Sequence, residues 1–113
     1  GEHGPTVLAF FATVKPTTGN GWARLAEARS ASGRAAEALD AARRAWASPD
    51  LSATDESSIY ARYGASFVRA DHDARVDALL FDKQPGAAAR FLAVTRPERQ
   101  AAFGARIAMQ SGA

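Results

Sequence analysis

Asp71-His72-Asp73 sets an imidazole between two carboxylates, an arrangement able to bind a divalent ion or to titrate near neutrality. The spacing works against both uses. Consecutive residues of a helix project about 100° apart, so the three side chains diverge, and no second histidine lies nearby in sequence. Asp71 is therefore read as the N-cap of a helix. Arg75, four residues on, is expected to support that helix or to reach Glu56 of the preceding one. Two-carboxylate glycosidase chemistry would need an acid of raised pKa facing a cleft. Of the five glutamates only Glu56 and Glu98 have aromatic neighbours, and both fall at predicted helix starts, where the helix dipole favours the ionised form. No catalytic residue is expected. The sequence also shows no nucleophile triad, phosphate-binding glycine loop or metal-ligand cluster, so neither a metal nor a cofactor is expected.

Trp22, Trp46, Tyr60 and Tyr63 are the aromatic groups that can stack on sugar rings or fill a core. Trp46 continues an apolar stripe and is read as structural. Trp22, beside a glycine-rich turn, and one of the two tyrosines are read as candidate surface contacts.

The elements that position these residues are helical. Thr6 to Val14 is read as a short helix with Pro5 at its start, a strand being the weaker alternative, and Pro16-Thr17-Thr18-Gly19-Asn20-Gly21 ends it. Asn20 is expected to cap a helix running to about Ser32, with Gly33 as its stop. In the next segment Ala35, Ala38, Leu39, Ala42 and Trp46 share one helix face, and Pro49 ends it. Ser52 or Thr54 is expected to cap a third helix ending at Gly64. Asp71 then starts a fourth, closed by Gln84-Pro85-Gly86. A fifth is expected over Ala87 to Val94, and a sixth from Pro97 to Gln110 with Thr95 as cap and Phe103 and Ile107 inward.

The fold expected is all-α, with stacked antiparallel hairpins forming an arc, an α-superhelix of tetratricopeptide-like kind. One helical domain is expected over 1–113, a fragment of a larger parent. Its parts are an N-terminal extension or partial helix at 1–19 and hairpins at 20–48, 52–83 and 85–110.

Composition narrows the function. Hydrophobic residues make up 47% of the chain, which favours a folded domain over disorder. A net charge of +2 is too small for an electrostatic nucleic-acid footprint, so no nucleic-acid partner is expected. Without cysteine the redox compartment stays open. The apolar run Val7 to Ala12 falls well short of the roughly 20 residues that span a bilayer, so no transmembrane segment is expected and the run is read as core.

Taken in order, Trp46, Arg62-Tyr63-Gly64, Asp71-His72, Arg75, Asp77, Leu79-Leu80-Phe81, Ala88-Ala89-Arg90 and Ala105-Arg106 resemble the superhelical, non-catalytic U-type region of soluble lytic murein transglycosylases. The likeness covers residues 34–110, and Phe81 stands where that family commonly has tryptophan. It implies a periplasmic, envelope-associated scaffold that frames peptidoglycan glycan strands for a separate lysozyme-like domain of the same parent chain. These residues, with Glu56, then serve as a packing signature, and the catalytic glutamate-serine segment has no counterpart here. Arg24, Arg43, Arg69, Arg90 and Trp22 become the candidate glycan contacts. The alternative is a tetratricopeptide-like protein-interaction module, suggested by Gly33-x-x-x-Glu37-Ala38 and the Ala45-to-Pro49 ending. The stretch from Arg62 to Phe81 has no counterpart in a regular repeat of that kind.

Overall fold

The computed structural model describes residues 15–112, all of whose regular structure is helical. The expected helix over Thr6 to Val14 and the apolar run within it lie outside the described residues. Backbone proximity divides the chain into two units, which among the described residues comprise 15–45 with 50–66, and 46–49 with 67–112.

In unit one, α1 spans Gly19–Ala31 and α2 begins at Ala35, running to Trp46. The cap of α1 is Thr18, whose hydroxyl accepts the Gly21 N–H at 3.0 Å. Asn20, expected there, instead lies in the first turn and accepts the Ser52 N–H through Oδ1 at 3.0 Å. Both residue types cap well, and a partner distant in sequence decides between them. The far end of α1 closes as a Schellman turn. Gly33 sits at φ +74°, and the N–H groups of Gly33 and Arg34 reach Ser30 O at 3.1 Å and Arg29 O at 2.8 Å.

The third helix, α3, spans Ala53–Tyr63, with Ser52 Oγ accepting the Asp55 N–H at 3.2 Å, and a 3₁₀ turn follows over Gly64–Ser66. The buried residues of this unit include Ala23, Ala26, Ala28, Ala38, Ala41, Ala42 and Ala45, with Leu25, Leu51 and Ile59 the larger ones. Alanine buries little area, and several polar bonds also join segments of this unit. Asp50 Oδ1 accepts the Gly19 N–H at 2.8 Å, Asp55 pairs with Arg24, and Tyr63 Oη donates to Ala26 O at 3.4 Å.

In unit two, α4 spans Arg69–Phe81, α5 Pro85–Ala89 and α6 Pro97–Gln110, with a 3₁₀ turn at Leu92–Val94. Val76, Leu79 and Leu80 share the inner face of α4 and pack with Ala88 and Phe103, flanked by Ala87, Phe91, Leu92 and Ile107. The start of α4 corrects the sequence reading. The helix begins two residues before Asp71, whose Oδ2 accepts the Val68 N–H from the third helical position at 2.8 Å.

The expected helix over Ala87 to Val94 is also corrected, because it breaks after Ala89. Pro97 disfavours helical geometry at Arg96, which sits at φ −61°, ψ +134°, so the chain must leave the helix early. Thr95 does not cap α6. It is fully buried, and its hydroxyl donates to Leu92 O at 2.6 Å.

Candidate functional site

The densest set of sequence-flagged residues lies in unit two around Trp46, the last residue of α2. Its ring is fully buried, with centroids 5.2 Å from Phe67, 5.1 Å from Phe91 and 5.9 Å from His72. Nε1–H of Trp46 donates to His72 Nδ1 at 3.3 Å. That bond makes Nδ1 an acceptor and leaves the imidazole proton on Nε2.

Arg75, also buried, lies with its guanidinium 4.9 Å from the Trp46 ring centroid. Its Nη1 donates to Trp46 O at 3.2 Å and Ser48 O at 2.9 Å. Helices leave their last carbonyls unpaired, so Arg75 caps the C-terminus of α2 from another helix with a full charge.

Burial lowers the pKa of His72; Asp71 and Asp73 pull it back up, Arg69 pushes it down, and the net shift is downward. For Asp73 burial acts upward, but the Arg96 N–H at 2.9 Å and the Arg96 guanidinium outweigh it and hold the carboxyl below its ordinary range. His72 is therefore a neutral, hydrogen-bonded core group at pH 7. Its two acidic neighbours in sequence serve α4 and the start of α6.

A pH dependence follows from the sign of the shift. Because the unfolded chain protonates His72 before the folded one does, stability should be full above pH 6.5 and fall as pH drops from 6.5 towards the lowered folded value. A further loss should begin below pH 3.8, where Asp73 is protonated more readily in the unfolded chain. Urea midpoints between pH 7.5 and 5 measure the first loss, and His72→Gln should flatten it. An equal slope in that variant would assign the loss to another group.

The candidate glycan contacts divide between the units. In unit one, Arg24 pairs with Asp55 and, at 3.4 Å, with Glu27. Arg43 donates to Ser66 O at 3.3 Å, and half-buried Trp22 lies under the Arg44 guanidinium at 5.0 Å. In unit two, Arg69 donates to Thr95 O at 2.7 Å, and the guanidinium of exposed Arg90 lies 5.2 Å from the Phe91 ring centroid. Arg24 also lines a groove of unit one with Glu27, Asp55, Ser58, Arg62 and Tyr63, which brings one candidate contact beside two signature residues.

Of the other signature residues, Glu56, Leu79 and Leu80 are buried. Asp77 accepts from Arg106 at 2.8 Å, and Gly64 continues the chain from α3 into the 3₁₀ turn. Phe81 differs from expectation: it is 83% exposed rather than packed. Three consecutive apolar residues cannot share one helix face, and Leu79 and Leu80 occupy the inner one.

Sequence reasoning places Asp55, Gln84 and Gln110 only at helix ends and passes over Asp50, yet each of the four makes a bond across long sequence separation. Gln84 Nε2 donates to Pro49 O at 3.1 Å and Gln110 Nε2 to Leu80 O at 2.9 Å. No local signal marks such residues, because their partners are mostly backbone groups that every sequence supplies.

Among the described residues no three His, Cys, Asp or Glu side chains are grouped to hold a metal ion, and no helix is long and apolar enough to cross a membrane. No protein-family model matches the chain, and neither a curated protein nor a solved structure matches it.

Proposed function

We propose that this chain is a non-catalytic architectural piece of a peptidoglycan lytic transglycosylase, acting in the periplasm at the envelope. On this reading its helices belong to hairpins stacked in an arc, which frames glycan strands for a lysozyme-like catalytic domain elsewhere in the parent chain. One observation carries the proposal. Three of the residues that bear the resemblance, Trp46, His72 and Arg75, are buried, with His72 and Arg75 each bonded to Trp46. Their role is packing, as expected of a scaffold pattern.

The arginines named as glycan contacts supply long-range attraction for acidic stem peptides. The coding sequence on either side of this chain tests the family reading. It should contain an export signal upstream and a lysozyme-like segment with a Glu-Ser pair downstream. Regular repeats of about 34 residues would overturn it in favour of a tetratricopeptide-like interaction module. That second reading is kept because Phe81 and Met109 are left exposed on unit two.

A further inference from the structure

Near the C-terminal ends of α4 and α6, unit two carries an open groove of about 430 Å³ lined by Leu80, Phe81, Lys83, Arg106, Met109 and Gln110. Phe81 is 83% and Met109 75% exposed, although Leu80 beside them is fully buried. Aromatic residues and methionine are enriched at protein interfaces, where a flat ring and an adaptable thioether cover an apolar partner. The Gln110 bond to Leu80 O, at 2.9 Å, ties the two helix ends together, so the floor is formed in advance.

Lys83 adds an independent observation. It occupies the left-handed position of the Schellman turn closing α4, at φ +60°, with Gln84 N–H bonded to Leu79 O at 2.8 Å. The matching turn after α1 uses Gly33. A side chain at this position costs backbone strain, and here the residue that carries it is a lysine lining the groove. That ammonium pairs with no carboxylate among the described residues. Arg106 is the second cation of the lining; its partner Asp77 lies outside it, and the lining itself contains no carboxylate.

We propose that this groove docks an acidic amphipathic helix of a partner protein, with apolar side chains on Phe81 and Met109 and carboxylates on Lys83 and Arg106. An apolar floor under a cationic rim selects that chemistry, and laying a helix in a groove satisfies the partner's backbone internally. The proposal does not rest on the murein reading, and either can fail alone.

Met109 is the sole methionine, so a ¹³C-labelled methyl group gives one signal inside the groove. The full chain is titrated with a synthetic helix of about 15 residues bearing leucines on one face and glutamates on the other, and with a twin carrying lysine for glutamate. The acidic peptide should shift the signal saturably and bind at least about tenfold more tightly than its twin. Phe81→Ser, at an exposed position, should weaken binding at least about tenfold with helix content unchanged. Lys83→Gly, which keeps the turn, should weaken it severalfold and reduce its salt dependence. No shift with the acidic peptide, equal binding of the twin, or undiminished binding by Phe81→Ser would overturn the proposal. So would a signal that moves with chain concentration alone, or only with soluble peptidoglycan fragments, since these identify a second copy or a glycan as the occupant.

Discussion

Trp46→Ala is expected to cost about 3–5 kcal/mol of folding stability, more than the loss of any other side chain in the aromatic cluster. The indole is fully buried between Phe67, His72 and Phe91, so its loss opens a cavity lined by rigid rings that cannot collapse easily. It also leaves His72 Nδ1 without its donor. Small domains have only about 5–15 kcal/mol in total, and the alanine-rich interior of unit one offers little reserve. Urea unfolding followed by circular dichroism measures the effect. Trp46→Phe should fall between the variant and the parent, since it restores most of the volume but not the N–H. A Trp46→Ala midpoint within error of the parent would show that the aromatic cluster is not central to the fold.

Arg75→Ala should be the next most damaging change, at about 3 kcal/mol. Its guanidinium lies against the Trp46 ring and bonds the carbonyls of Trp46 and Ser48, so alanine removes packing and two charge-assisted bonds together. Arg75→Met separates the contributions, because it keeps most of the volume and leaves the carbonyls without the guanidinium. It should still lose about 1–2 kcal/mol. Arg75→Lys should also be destabilised, as a point charge cannot lie flat on the ring while serving two carbonyls. Chemical denaturation of the three variants checks the order. Arg75→Met as stable as the parent would mean that only bulk is needed there.

Much of the helical framework is legible in the sequence because it rests on local chemistry. The Gly33 stop, the Ser52 cap, the Pro97 start and the inward Val76, Leu79, Leu80 and Phe103 each follow from a residue's own backbone preference or from helical periodicity. Failures occur where a distant partner decides. Thr18 rather than Asn20 caps α1 because Asn20 is engaged by Ser52. Asp71 serves from the third helical position because Arg69 and Ala70 extend the helix with no local start signal. The break after Ala89 reflects the demands of Arg96-Pro97 and the burial of Thr95.

The candidate site was less legible. Arg75 could be marked as important from its place in the pattern, but its carbonyl partners carry no side-chain signature. Asp73 could be seen beside His72, yet its bond to the Arg96 N–H joins residues 23 positions apart. Exposure of Phe81 could have been foreseen from the geometry of three successive apolar residues.

Engagement of peptidoglycan by this scaffold is the central claim, and co-sedimentation of the purified chain with purified murein sacculi tests it most directly. The chain should pellet at low ionic strength and progressively less as salt rises, because exposed cations are screened within about 10 Å at 0.1 M. The double variant Arg43→Gln, Arg90→Gln should pellet more weakly with helix content unchanged. A chain that stays in the supernatant at low salt, or a double variant that pellets as well as the parent, would contradict the claim.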